Sequence, residues 1–414
     1  MTWVHRKSRV VVSHWLGIFS RSPSGIVYGS TEMLRMFVGL LRQLRHIADE
    51  HAGQFRSEGL TVFFRMIKKE LDDDDFAIVE DHLEELKFRD GVLLSVGLAP
   101  GNEGAGYMLS RAQNHKNWLE RLFVRDSAVY SFRIHHRDDH GARALGELKD
   151  RGLNLVAEAL AQSAGHIDSF FKMLRTELAF YVSCLNLHQR IAEMGEPVCF
   201  PTPVALAERK HSFHELYDVC LALTMNRKVV GNDACIDRDL VIITGANQGG
   251  KSTFLRSIGL AQLMMQCGMY APAESFCANI CDRLFTHYKR KEDATMESGK
   301  LDEELGRMSV IADAITANSM VLFNESFAAT NEREGSEIAR QIVSALLDNR
   351  IKVFFVTHQY ELAHSYYARD VGNAFFLRAE RRSDGTRTFR LNEGGPLETS
   401  YGRDLYSRIF AAES

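Results

Sequence analysis

Residues 245–252 read Gly-Ala-Asn-Gln-Gly-Gly-Lys-Ser, a G-x-x-x-x-G-K-[ST] segment lying between an apolar run and an amphipathic stretch. Few folds accommodate such a segment. Its glycines let the backbone curl until consecutive N–H groups converge on one anion, and Lys251 adds a point charge suited to β- and γ-phosphates. The Ser252 hydroxyl is placed to ligate magnesium. Gly245, Ala246, Asn247, Gln248, Gly249, Gly250, Lys251, Ser252 and Thr253 therefore form a candidate cradle for a nucleoside triphosphate. Before them, Leu240-Val241-Ile242-Ile243-Thr244 is the continuous apolar run expected of a strand covered on both faces. After them, Phe254, Ile258, Ala261 and Met265 recur at helical spacing, so the phosphates would meet a helix N-terminus.

Two later apolar runs also end in polar residues, where an α/β sheet places its active edge. Met320-Val321-Leu322-Phe323 leads into Asn324-Glu325. Glu325 is the candidate base that orients an attacking water, and Asn324 stands where an aspartate usually holds the magnesium shell. An amide accepts a hydrogen bond from metal-bound water but brings no charge, so magnesium affinity or turnover would be expected to suffer. Val353-Phe354-Phe355-Val356-Thr357 leads into His358, which can reach a γ-phosphate. Between the two runs Gly335 opens a helix whose Ile338, Ile342, Ala345 and Leu346 share one face. Strand, helix, strand in this order predicts a βαβ unit and a mainly parallel sheet.

A chain of 414 residues has room for two or three domains, and 45% apolar with 25% charged residues is ordinary globular composition. No apolar stretch approaches the roughly 20 residues that span a bilayer, and no signal peptide is evident, so a cytoplasmic protein without membrane contact is expected. The net charge of −4 gives no global drive toward nucleic acid; any DNA contact must use a local patch or arise on assembly. Lys289-Arg290-Lys291 is basic but runs into Glu292-Asp293, as a solvated loop would. The seven cysteines are scattered, and Cys277 and Cys281 have no second pair to complete a zinc site, so free thiols are expected.

Proline is absent between Pro100 and Pro197, then clusters at Pro197, Pro201 and Pro203, which reads as a linker. The proline-free middle is helical: Leu153, Leu160, Ile167, Leu174 and Tyr181 repeat every seven positions, beside a second line of Val156, Phe170 and Cys184. Ser163 and Glu177 break that second line, which favours a bundle over a strict zipper. Met33, Phe37, Leu40, Leu41 and Leu44 form an amphipathic stripe in a mainly helical N-terminal region. Asp72-Asp73-Asp74-Asp75 reads as a solvated loop or helix start, and His135-His136-Arg137-Asp138-Asp139-His140 as a solvated turn, because consecutive spacing does not gather ligands on one face.

Gly-Ala-Asn-Gln-Gly-Gly-Lys-Ser-Thr at 245–253 resembles the T-G-P-N-x-G-G-K-S-T loop of the MutS DNA mismatch repair family. Gly268-Met269-Tyr270-Ala271-Pro272-Ala273 is similar to its G-x-Y-V-P-A, Thr357-His358-Gln359-Tyr360-Glu361-Leu362 to its T-H-Y-x-E-L, and Ser400-Tyr401-Gly402 to its late S-Y-G. The resemblance covers residues 206–410, with a weaker likeness upstream to the family's core and lever helices. It implies an ABC-type P-loop ATPase domain over 206–414, preceded by a helical core and lever region over 101–205 and a mainly helical region over 1–100. It further implies ATP and Mg2+, a homodimer with each nucleotide clamped between two subunits, and action on DNA or on a protein bound to DNA.

The signature segment that would reach the partner's nucleotide is Glu297-Ser298-Gly299-Lys300-Leu301-Asp302-Glu303-Glu304, against the family's S-T-F-x-x-E, with Ser298 or Lys300 as the group serving the γ-phosphate. Val230-Gly231-Asn232-Asp233 resembles the adenine-side F-x-x-N with valine for the stacking aromatic, which assigns Asn232 to the nucleotide. No F-x-E wedge stands in the N-terminal region and no nuclease-like domain is expected at the C-terminus, so specific mismatch recognition is not carried over. A nucleotide-gated DNA- or protein-binding switch with little hydrolysis is the alternative that Asn324 motivates. The ATPase subunit of a membrane transporter is a weaker third, because L-S-G-G-Q is absent.

Overall fold

A computed structural model describes residues 22–89, 91–111, 130–289, 299–368 and 373–398. The chain divides into two compact units, Met1–Ala179 and Phe180–Ser414. In the first, α1 (Pro23–His51) starts at Ser22, whose side chain accepts from the Gly25 N–H, with proline in the first turn. Then follow α2 (Glu58–Glu70) and α3 (Asp73–Glu85). Asp72 caps α3 by accepting the Asp73 N–H, and Asp73, Asp74 and Asp75 fill its first turn. The acidic run is thus a helix start, where carboxylates oppose the positive end of the dipole. An antiparallel hairpin, β1 (Leu94–Leu98) and β2 (Gly104–Leu109), interrupts the helices.

The long helix α4 (Asp139–Glu193) follows the exposed turn that holds His135 and His136. Within the first unit Leu160, Ala164, Ile167 and Phe171 of α4 pack with Leu34, Phe37 and Val38 of α1 and Phe76 and Leu83 of α3. The seven-residue line does not stay buried to its end: Tyr181 is 60% exposed. A straight helix drifts about 20° per heptad against a strict seven-residue repeat, so the line rotates off the packed face.

The second unit carries β3 (Thr202–Val204), β4 (His211–Leu216), α5 (Val219–Met225), β5 (Asn232–Ile236), β6 (Leu240–Gly245) and α6 (Lys251–Gln266). Next come β7 (Ser275–Asn279), β8 (Leu284–Tyr288), α7 (Lys300–Ala314), β9 (Met320–Asn324) and α8 (Glu332–Asp348). The described part closes with β10 (Lys352–Val356), α9 (Tyr360–Ala368), β11 (Ala374–Arg381) and β12 (Arg387–Glu393). The main sheet has six strands in the order β12-β11-β6-β10-β9-β8, parallel throughout except at the β11–β12 hairpin.

Period-two alternation assigns each strand residue to one face. Val241, Ile243, Leu322, Phe354 and Val356 join Phe254, Leu255 and Ile258 of α6 in one core. Leu240, Ile242, Val321, Phe323, Val353 and Phe355 join Ala339, Val343 and Leu346 of α8 in the other. A second sheet, β3-β7-β4-β5, adds Phe213, Leu216, Ile236 and Phe276 to the α6 side.

Two details depart from the sequence reading. The proline cluster is no free linker: Pro203 lies in β3, an edge strand paired only with β7, the position where a missing N–H is tolerated. The N-terminal region holds the β1–β2 hairpin among its helices. All seven cysteines are free, with Cys281 buried. No helix among the described residues is long and apolar enough to cross a membrane.

Gly335, in the first turn of α8, has no room for a side chain. An added Cβ would collide with the Phe327 carbonyl oxygen and sit 2.7 Å from Gln359 Nε2. Gly335→Ala should therefore lower stability by about 1–3 kcal/mol, read as a lower urea midpoint at unchanged slope. An unchanged midpoint would show that this contact is not tight.

Candidate functional site

Parallel pairing sets Ile243 of β6 beside Val356 of β10, and Val356 beside Asn324 of β9. The ladder runs one step further, with Thr357 N–H on the Ile243 carbonyl at 3.1 Å and Glu325 N–H on the Val356 carbonyl at 2.9 Å. The segments beyond these three strands, which carry Lys251, Glu325 and His358, consequently leave the sheet at one edge. They line a single cavity of about 1130 Å³.

The turn after β6 needs left-handed backbone at Gly245 (φ 109°), Gln248 (φ 60°) and Gly250 (φ 89°). Gly245 is also pressed against β11, since an added Cβ would lie 2.8 Å from the Ala379 nitrogen. A residue with a side chain fails there on both counts. Gly250 then caps α6, and the N-terminal N–H groups of that helix open onto the cavity.

Lys251 is 5% exposed, and its Nζ donates to the carbonyls of Gly245 and Ala246, both at 3.0 Å. Burial lowers its pKa to about 8; the Glu325 charge opposes this shift and the Arg387 charge adds to it. Ser252 donates its hydroxyl to Asn324 Oδ1 at 2.8 Å. Glu325 Oε1 meets His358 Nε2 at 2.8 Å. That hydrogen bond holds the Glu325 carboxyl below its ordinary range against the raising effect of burial. Glu325 itself sits at φ 55°, a conformation with a cost for a residue with a side chain.

Ser252 and Asn324 offer two neutral oxygens joined by one hydrogen bond. This suits magnesium, which keeps most of its ligands as water and phosphate oxygens. Among the described residues no group of three or more His, Cys, Asp or Glu side chains could hold a metal by itself.

Asn232 lines the cavity, but both ends of its amide are engaged with β12. Its Oδ1 accepts the Leu391 N–H at 2.7 Å and its Nδ2 donates to the Phe389 carbonyl at 3.4 Å. It fastens a wall of the site. Val230 stands on the same wall, 40% exposed. Ser298 and Ser400-Tyr401-Gly402 lie outside the described residues; Gly299 caps α7.

The β12 part of this wall was not anticipated from sequence. Arg387 and Phe389 of β12 border the cavity, with Arg387 Nε on the Asn247 carbonyl at 3.2 Å and Phe389 half exposed at φ 63°. The alternating Arg387-Thr388-Phe389-Arg390-Leu391 run carried a strand signal, but nothing local in it pointed to a loop some 140 positions earlier.

Residues 6–194 match the family model described as MutS2 N-terminal domain, and residues 241–410 match the one described as MutS domain V. The chain is 26% identical over 364 residues to the DNA mismatch repair protein MutS of Synechococcus sp. (strain CC9902), covering 84% of this chain and 39% of that protein. It is 34% identical to the DNA mismatch repair protein MutS of Thermotoga neapolitana over 43% of this chain and 22% of the relative. With the protein of that name from Clostridium botulinum (strain Alaska E43 / Type E3) the identity is 36% over 41% of this chain and 18% of the relative. The chain thus spans well under half the length of the curated relatives it matches.

Lys251 keeps its ammonium below about pH 8 in the empty protein and loses it above. Affinity for a triphosphate should accordingly be level below that pH and weaken above it by up to about tenfold per pH unit. Titrations at a series of pH values check this; affinity that stays flat up to about pH 9.5 contradicts it.

Proposed function

Because the chain belongs to the MutS family, we propose that it is an ATPase that dimerises over ATP and uses the cycle to grip or remodel DNA, or a protein on DNA. The observation that carries this reading is the convergence of Lys251, Ser252, Glu325 and His358 on one cavity, with Asn324 accepting the Ser252 hydroxyl behind it.

In this reading the backbone N–H groups of the 245–253 loop receive the β- and γ-phosphates, and Lys251 turns from the Gly245 and Ala246 carbonyls toward them. Glu325 orients a water for in-line attack on the γ-phosphate, and His358 holds one of its carboxylate oxygens. Ser252 would hold magnesium by its hydroxyl and Asn324 would accept from the ion's water shell, and the metal would supply neutralisation of charge on the phosphate oxygens. The ring of the base meets the wall that carries Val230 and Phe389. A sister subunit closes the pocket with its signature segment, Ser298 or Lys300 serving the γ-phosphate in trans. The homodimer acts in the cytoplasm, together with protein partners on DNA.

One observation favours a second reading, a nucleotide-gated switch with little hydrolysis. Asn324 meets Ser252 with a neutral amide oxygen where a carboxylate would bring charge.

Glu325→Gln should cut ATP turnover by on the order of 10²-fold or more while ATP affinity is kept. Undiminished turnover removes Glu325 from the role of base. Asn324→Asp separates the two readings, since a large rise in rate on restoring the carboxylate favours the switch. Turnover measured with mismatched, branched and single-stranded DNA should rise with a bound form, and that stimulation should fall with added salt. A rate indifferent to all three removes DNA from the proposal.

A further inference from the structure

The three residues that follow β9 have an unusual backbone. Glu325 (φ 55°) and Phe327 (φ 61°) are both left-handed, and neither is glycine. Such a path persists only where surrounding groups over-determine it. The groups that do so come from three separate elements. Phe327 N–H donates to Glu304 Oε2 at 2.6 Å, and the Phe327 carbonyl accepts from Gln359 Nε2 at 3.0 Å. The Ser326 hydroxyl sits between the carbonyl of His287 at 2.7 Å and its Nδ1 at 2.6 Å. His287 closes a ring, because its Nε2 donates to the Glu304 carbonyl at 3.0 Å. The His287 ring also stacks on Phe327 at 5.2 Å.

Glu304 is the unexpected member. It is the last residue of the signature segment, lies in α7, and is 3% exposed. Its neighbour Glu303, partly buried, pairs instead with Arg307 at 2.6 Å within α7. A buried carboxylate is costly unless its oxygens are bonded, and an apolar side chain would serve helix packing as well. Its bond to the Phe327 N–H, a charge-assisted one, is what an apolar residue there could not make.

We propose that Glu304 is the positioning residue for Glu325: it grips the 325–327 turn from the signature helix, so that the aim of the base depends on where that helix sits. The grip rests on the reading of Glu325 as the hydrolytic base. It gives the two halves of the active site a physical link. The segment meant for one nucleotide holds, through its last carboxylate, the turn that carries the base for the other.

The test measures steady-state ATP turnover and the affinity for N-methylanthraniloyl-ATP on the full chain, for wild type, Glu325→Gln, Glu304→Ala and Glu304→Gln. Glu304→Ala should lower kcat by on the order of 10²-fold with nucleotide affinity unchanged, the cost of a misplaced catalytic group. Glu304→Gln, whose amide oxygen still accepts from Phe327, should return most of that rate. Wild-type kcat in Glu304→Ala overturns the proposal. So does a loss of kcat matched by an equal loss of affinity, or glutamine no better than alanine. Should Glu304→Ala fail to fold, Ser326→Ala replaces it and must lower kcat at kept affinity; an unchanged kcat there also overturns the proposal. The controls separate the two levels. A wild type without turnover, or a Glu325→Gln variant with full turnover, takes down the catalytic reading together with the grip, whereas normal controls beside a silent Glu304 take down the grip alone.

Discussion

Parallel ladder bonding among β6, β10 and β9 governs where each polar group of the site can lie. Ile243, Val356 and Asn324 share one rung, and the next backbone N–H groups, those of Thr357 and Glu325, still bond across it. A slip of one residue in any strand would move its apolar set to the wrong face. The cores forbid that slip. Phe323 and Phe355 stack at 4.9 Å on the α8 side, while Phe354 is committed to the α6 side. Apolar burial on two faces therefore specifies a polar edge that contributes nothing to the burial itself.

At that edge the chain leaves regular geometry. Gly245 and Gly250 supply left-handed backbone at the positions where glycine is free to do so, but Gln248, Glu325 and Phe327 adopt it with side chains present. Each of these departures is braced from outside its own segment. Ala379 abuts Gly245, Arg387 reaches the Asn247 carbonyl, and Glu304, Ser326 with His287, and Gln359 fix the turn at Phe327. Hydrogen bonds from β12, β8, α7 and the segment just beyond β10 brace the site. Its geometry therefore responds to shifts in those elements.

The parts of this arrangement that were legible in the sequence are those with a local signature. Apolar runs at 240–244, 320–323 and 353–357 mark three strands that the structure places at Leu240–Gly245, Met320–Asn324 and Lys352–Val356. The residues just beyond them were readable as site candidates because each run stops at a polar group. Helix α8 starts three residues ahead of Gly335, the first residue of the expected helix, because Asn331 accepts the Glu334 N–H as its cap.

What escaped is long-range. The wall made by Arg387 and Phe389, the fastening of Leu391 by Asn232 across 159 positions, and the Glu304–Phe327 bond involve residues of ordinary type in ordinary local patterns. Their meaning exists only once the sheet has closed. The N-terminal hairpin escaped for a different reason: Leu94–Leu98 is mostly exposed, so no strong alternation announces it.

In the proposed function, one edge of this sheet holds a triphosphate, with the Lys251 ammonium at its centre. Isothermal titration of magnesium–ATP into wild type and Lys251→Ala tests it most directly. One binding event per chain is expected in wild type, and loss of binding in the variant. Equal affinity in both proteins, or no heat in either, would contradict it.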